Sequence, residues 1–154
     1  MTADVYVAGL KLLARRELSE AQVRSRLSRR QFTAEEIDGA VGRLKDERAI
    51  DDERTALACA RTELTVKRHG RARVLQQLEN LGVARGVAQS AVREVFAEVD
   101  EDALMIEVLD RRLRRQKVLD AAGLRRMHRY LIAQGFDPGR VTSVLSRYVH
   151  KRPS

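Results

Sequence analysis

One apolar pattern recurs three times along this chain, and the repeat constrains the fold more than any other feature of the sequence. Six apolar positions reappear with a constant offset of 51 residues and again with a constant offset of 104. They are Val23, Leu27, Phe32, Ile37, Val41 and Leu44, then Val74, Leu78, Val83, Ala88, Val92 and Val95, then Met127, Leu131, Phe136, Val141, Leu145 and Tyr148. Because repeats of this period mark stacked supersecondary units, the same local structure is expected three times.

Each copy has the spacing of two helices joined by a short turn. Val23 and Leu27 stand four residues apart, as on one face of a helix, and Ile37, Val41 and Leu44 have helical spacing on the next helix. Between the two apolar stripes lies a residue at which a helix end needs a left-handed backbone. Gly82 and Gly135 occupy this position in the second and third copies, and Gln31 occupies it in the first. Each copy therefore predicts a helical hairpin.

Helix starts and a further helix complete each unit. The residues expected to cap helix N-termini are Ser19 with Gln22, Thr33 with Glu36, Asp137 before Pro138, and either Asp51 or Asp52. The apolar stripes expected on the preceding helices are Tyr6, Leu10 and Leu13, then Leu57, Ala60 and Leu64, then Met105, Leu109 and Leu113. We therefore predict an all-α fold of three tandem three-helix repeats, at about residues 1–50, 51–100 and 101–152, forming an elongated, curved array.

Basic residues are concentrated in the last third of the chain. The net charge is +8, and residues 101–154 carry 12 basic and 6 acidic side chains. The 111–117 cluster reads RRLRRQK, the 125–129 cluster reads RRMHR, and a smaller 67–73 cluster reads KRHGRAR. Such an excess favours polyanions or acidic protein surfaces as partners. A solvated helix face is the alternative reading of each cluster.

No arrangement of residues predicts an enzyme, a metal site or a cofactor. The acidic run at 51–53 fits a helix N-terminus, and adjacent helical side chains diverge by about 100°. The three histidines lack the spacing of metal ligands, and Cys59 is expected in the core. Since no apolar stretch is long enough for a membrane span or signal peptide, we expect a cytoplasmic protein without membrane contact.

Longer stretches of the sequence resemble the RecX family of bacterial proteins that modulate the RecA recombinase. The strongest parts are ARRELSEAQVRSRL and IDDER, followed by RHGRARVLQQLENLGV and HRYLIAQGFDPGRVTSVL. The resemblance covers nearly the whole chain and implies a fold of three tandem three-helix repeats. It also implies binding to the RecA–single-stranded DNA filament, with suppression of strand exchange, ATP turnover and co-protease action in the SOS response.

The clusters are the predicted contact residues for this partner, and two functional readings stay open. The candidates are Arg111, Arg112, Arg114, Arg115, Arg125, Arg126 and Arg129, followed by Arg68, Arg71 and Arg73. We expect a monomer that binds the RecA filament and that also meets single- or double-stranded DNA through phosphates. The alternative is a non-specific DNA-binding protein that acts mainly through phosphate contacts.

Overall fold

The computed structural model describes residues 2–114 and 119–151, and within these ranges it contains nine α-helices and no strand. The helices are α1 Thr2–Arg15, α2 Glu20–Arg29, α3 Ala34–Asp46, α4 Asp52–Thr65, α5 Arg71–Asn80, α6 Arg85–Phe96, α7 Glu101–Arg112, α8 Ala121–Ala133 and α9 Pro138–Lys151. The predicted all-α class is confirmed. Helices α1–α3, α4–α6 and α7–α9 form the first, second and third repeats.

The apolar positions of the repeat lie inside the protein. Of the eighteen, all are buried except Phe32, Val95 and Tyr148, which are half-buried. The equivalent leucines Leu27, Leu78 and Leu131 each have no exposed surface. A buried leucine contributes roughly 1.5–3 kcal/mol relative to an exposed one, so the repeated stripe supplies much of the stability.

The turns of the three hairpins have the left-handed backbone that the sequence predicts. The φ angles are 67° at Gln31, 81° at Gly82 and 102° at Gly135. Two further arginines, Arg48 and Arg68, have φ angles of 57° and 59° where α3 and α4 end. Sequence reasoning did not identify these two, because arginine is not a residue type that favours such a backbone.

The helix caps follow the predicted residues. Ser19 and Gln22 form a full capping box at α2, and Thr33 accepts the amide of Glu36 at α3. Asp137 accepts the amide of Arg140 immediately before Pro138 opens α9. At α4 the alternatives are resolved in favour of Asp51, whose carboxylate accepts the amide of Arg54. Local hydrogen bonding thus sets these helix starts.

The apolar stripe predicted for α1, at Tyr6, Leu10 and Leu13, is wrong, because the buried face of the helix lies about one residue earlier. Val5, Ala8 and Leu12 are buried, whereas Leu10 is 37% exposed. Helix α1 packs against α3, and a Cβ added at Gly9 would lie 2.8 Å from Leu44 Cδ1. The small residues of α1 therefore define the side that approaches α3. Apolar residues occur around most of this helix, so periodicity alone did not identify that side.

The apolar stripe predicted for α7 is confirmed, since Met105, Leu109 and Leu113 are all buried.

Contacts divide the chain into two compact units. The first contains the residues up to Cys59 together with Gln77–Ala91, and the second contains Ala60–Gln76 and the residues from Val92 onward. Each of α4, α5 and α6 therefore contributes residues to both units. The repeat boundaries near 50 and 100 stay a prediction, because these units are defined by contacts and not by sequence similarity.

Each unit contains a similar junction between a hairpin turn and the preceding repeat. In the first unit the Ser19 hydroxyl donates to the Leu81 carbonyl, and a Cβ on Gly82 would lie 2.5 Å from Ala21 Cβ. A hairpin turn of one repeat thus contacts the segment before the second helix of the preceding repeat.

The second unit places equivalent residues in the same contact. The Gly70 amide donates to the Gln134 carbonyl at 2.8 Å, and the Ala72 amide donates to the Gly135 carbonyl at 3.1 Å. A Cβ on Gly70 would lie 2.6 Å from the Gly135 carbonyl carbon and oxygen. The two backbones can approach this closely only because both positions are glycine.

We expect Gly135→Ala to lower the free energy of unfolding by about 2 kcal/mol or more. Left-handed backbone costs a residue with a Cβ roughly 1–2 kcal/mol, and the new Cβ would also lie 2.6 Å from Arg73 Cβ. Gly42→Ala is the matched control, because Gly42 is in α3 with no atom within 4 Å of an added Cβ. The free energy of unfolding of this control should rise by about 0.5–1 kcal/mol, because alanine has a higher helix propensity than glycine. Urea denaturation of both variants measures the difference, and equal stability would contradict the described junction.

Candidate functional site

The predicted basic residues lie on three elements of the second unit. The 67–73 cluster occupies the turn between α4 and α5 and the first residues of α5. Arg111, Arg112 and Arg114 lie at the end of α7, and Arg125, Arg126 and Arg129 lie on α8. Arg115 and Lys117 fall outside the described residues. A binding site for an anion requires that several of these cations share one surface.

A groove of about 300 Å³ brings two of the clusters together. Four cations line it: Lys67 and Arg68 from the α4–α5 turn, and Arg111 and Arg112 from α7. Its remaining lining residues are Val108, Tyr130 and Gln134. We call this surface the basic groove. Positive charge focused in a concave surface attracts anions more strongly than the same charge spread over a flat one.

Glu107 holds two of these cations in place. The Arg68 guanidinium binds both carboxylate oxygens of Glu107, at 3.0 Å and 3.3 Å. Arg111, four residues further along α7, has its terminal nitrogen 3.9 Å from the same carboxylate. Glu107 was not among the predicted site residues, although its spacing from Arg111 is a sequence signal for a helical ion pair.

Arg112 stacks on an aromatic ring at the groove. Its guanidinium carbon lies 4.0 Å from the centroid of the Tyr130 ring. Such a cation–π contact contributes about 0.5–1 kcal/mol at an exposed site and holds the guanidinium in one orientation. The Tyr130 ring is half-buried and lines the groove.

Arg71 and Arg73 take part in contacts within the fold. Arg71 Nε lies 3.1 Å from Glu101, whose other carboxylate oxygen binds Arg140 at 3.0 Å. Arg73 donates to the Ala133 carbonyl at 3.4 Å. Arg71 and Arg73, like Arg68, therefore bind groups within the protein, although the sequence predicts them as contact residues for the partner. These residues link the α4–α5 segment to the third repeat.

The 125–129 cluster does not reach the basic groove. Arg125, Arg126 and Arg129 are exposed and form no ion pair within the described part of the chain. Arg125 borders a different, largely apolar groove of about 460 Å³ that α8 and α9 line, with His128 and His150 at its edge. The predicted site residues thus fall on two surfaces of the second unit.

A buried carboxylate supports the turn that carries Lys67 and Arg68. Glu63 is 3% exposed, accepts a hydrogen bond from Lys67 Nζ at 2.9 Å and contacts His69 Nδ1. Burial alone would raise the pKa of Glu63, but the hydrogen bonds from Lys67 and His69 outweigh it and hold this pKa below its ordinary value. The ionised form of Glu63 is therefore part of the folded structure.

Among the described residues there is neither a metal cluster nor a membrane-spanning helix. No three His, Cys, Asp or Glu side chains in residues 2–114 and 119–151 lie close enough to hold a metal ion. None of the helices there is long and apolar enough to cross a membrane.

Comparison with known proteins identifies the family. A model for the first three-helix domain of RecX matches residues 6–44. The regulatory protein RecX of Trichlorobacter lovleyi is 31% identical over 139 residues, which are 87% of this chain and 88% of the relative. The chain belongs to the RecX family. The RecX protein of Syntrophotalea carbinolica is 29% identical over 147 residues, 94% of each chain.

A solved RecX structure has the same fold. The crystal structure of RecX from Lactobacillus salivarius superposes with a TM-score of 0.83 and covers 96% of each chain. The sequence identity is only 16%, so this likeness concerns the fold. The RecX family is a family of regulatory proteins, and the three tandem three-helix repeats of this chain agree with that assignment.

We expect the stabilising effect of Glu63 to disappear in acid. Its pKa is lowered on folding, so between the folded value and the ordinary value of 4.5 the unfolded chain binds more protons and stability rises with pH. The contribution is therefore complete above about pH 5 and is lost as the pH falls through the folded pKa.

The measurement is the difference in unfolding free energy between the unsubstituted protein and Glu63→Gln. At pH 7 this difference should be about 1.5–3 kcal/mol, the usual contribution of hydrogen bonds to a charged group, and it should shrink below pH 4. Glu79→Gln serves as control, since Glu79 is exposed and forms no ion pair among the described residues. A difference that stays constant with pH would contradict the assignment.

Proposed function

We propose that this protein docks on the RecA–single-stranded DNA filament and inhibits its recombinase, ATPase and co-protease activities. Membership of the RecX family is the observation that carries the proposal. In this role the protein acts as a monomer in the cytoplasm, where it regulates recombination, DNA repair and the SOS response. It has no catalytic task of its own.

The distribution of cations supports this function. Arg111, Arg112 and Arg114 are exposed at the end of α7, and the groove adds Lys67 and Arg68 beside them. Exposed charges contribute little to folding stability but strongly affect how fast charged partners associate at low salt. Tandem repeats can also make several modest contacts on a repeating filament and so gain avidity.

Non-specific DNA binding is the second candidate function. The basic groove favours it, because four cations around one concave surface attract phosphates whether or not RecA is present. In this case inhibition of RecA would be an indirect effect of occupying DNA. The two candidates differ in the partner that they require.

Co-sedimentation distinguishes them. RecA filaments preformed on single-stranded DNA and the same DNA without RecA are centrifuged with the protein over a range of salt concentrations. We expect the protein to sediment with filaments at salt concentrations at which it no longer sediments with naked DNA. Equal sedimentation with both would favour the DNA-binding alternative, and sedimentation with naked DNA alone would contradict the proposal.

We expect the triple substitution of Arg111, Arg112 and Arg114 by alanine to weaken inhibition of RecA-driven ATP hydrolysis. It should also reduce the dependence of inhibition on salt, because fewer screened charges remain. Thermal stability should change little, since exposed charge pairs contribute at most about 1 kcal/mol each.

The matched control removes the same charge at positions outside the basic clusters. Arg61, Arg85 and Arg93 are exposed and form no ion pair in the described part of the chain, so their triple alanine substitution should leave inhibition nearly unchanged. Full inhibition by the Arg111, Arg112 and Arg114 variant would rule out a role for this cluster. Loss of inhibition that merely follows unfolding would do the same.

A further inference from the structure

The basic groove contains a carboxylate that pairs with its own cations. Glu107 binds the Arg68 guanidinium through both oxygens and lies 3.9 Å from a terminal nitrogen of Arg111. Its side chain is 42% exposed, so an external anion can reach the same guanidinium groups. A half-exposed pair of this kind is weak enough to be exchanged for another anion.

Arg68 has a hydrogen-bond donor that Glu107 does not use. The two terminal nitrogens bind Glu107, whereas Nε is buried and donates to no acceptor among the described residues. An anion in the place of Glu107 therefore meets the two terminal nitrogens of Arg68 and not its Nε. Arg68 is also held in a left-handed backbone conformation, with φ 59°, so its position is set by the turn.

We propose that the basic groove is a phosphate-binding site for single-stranded nucleic acid and that Glu107 occupies it as an internal competitor. A phosphodiester group takes the place of the Glu107 carboxylate at Arg68 and Arg111. Glu107 then sets the affinity of the site by competing with the ligand. This inference rests on the second candidate function, DNA binding through phosphates, and does not depend on RecA.

The lining favours a phosphate over the carboxylates of an acidic protein. A phosphate offers several acceptor oxygens, which suits a site where the Arg68 and Arg111 guanidiniums and the Lys67 ammonium meet. Arg112 adds a guanidinium plane, held by Tyr130, and bases of single strands stack on arginine planes as well as on aromatic rings. A peptide carboxylate would use the cations but not the stacking surface.

The test measures binding of a fluorescein-labelled oligothymidylate by anisotropy, with no RecA present. We expect Glu107→Gln to tighten binding about two- to fivefold, the factor that corresponds to removing one half-exposed ion pair. Glu107→Asp keeps the charge but shortens the side chain, so it should give a smaller tightening. Arg68→Lys keeps the charge but loses the fork of two terminal nitrogens, so it should weaken binding.

Glu94→Gln is the control for net charge. Glu94 is exposed on α6 and forms no ion pair among the described residues, so its substitution changes the total charge by the same amount as Glu107→Gln. The proposal requires a larger effect at Glu107 than at Glu94. Equal effects, or weaker binding by a folded Glu107→Gln protein, would overturn it. Should Glu107→Gln fail to fold, Arg68→Lys and Glu107→Asp still decide the outcome.

A competing polyglutamate distinguishes the two kinds of anion. If Glu107→Gln tightens binding of polyglutamate but not of the oligothymidylate, the site takes acidic protein and the phosphate assignment is wrong. Because RecA is absent throughout, failure of this test leaves the proposed docking on the filament untouched. Failure of the filament experiment likewise leaves this inference intact.

Discussion

The close approach of backbone at Gly70 and Gly135 is the contact on which the second unit depends. The Gly70 and Ala72 amides donate to the carbonyls of Gln134 and Gly135, and neither glycine has room for a Cβ. The first unit contains the equivalent contact, between Ser19 and Leu81 and between Ala21 and Gly82. Because the turn must come within hydrogen-bond distance of backbone groups, it tolerates neither a larger side chain nor a change in backbone direction at these positions.

The basic groove is a consequence of this junction. Arg68 lies two residues before Gly70, and Gln134, whose carbonyl accepts the Gly70 amide, lines the groove. The same contact that docks the α8–α9 turn therefore positions Arg68 opposite Glu107. The buried Glu63, with Lys67 and His69, supports the turn from the other side. The segment that joins the second repeat to the third therefore also carries part of the positive charge of the groove.

The arginines of this protein have different physical roles although they share a charge. Arg71 and Arg140 bind opposite oxygens of Glu101, so both are paired within the protein. Arg112 is held by the Tyr130 ring and remains exposed, and Arg114 is exposed without an ion pair among the described residues. Counting basic residues would treat these four side chains as equivalent. Their partners, and not their charge, decide which of them can meet an external anion.

The sequence by itself determined the hairpins of this protein. Apolar residues at helical spacing, the left-handed positions Gln31, Gly82 and Gly135, and the cap at Ser19 act over a few residues, so their pattern predicts structure directly. The family resemblance rests on the same local stretches, and it is confirmed by relatives that span most of the chain.

Only the tertiary structure decided which side of α1 is buried and which cations converge. Leu10 fits a helical stripe as well as Leu12 does, and close packing of Gly9 against Leu44 makes the choice. Arg68 and Glu107 are 39 residues apart along the chain, and no periodicity indicates that they meet. Such contacts depend on how distant segments pack, because local spacing specifies the face of a helix but not the partner it meets.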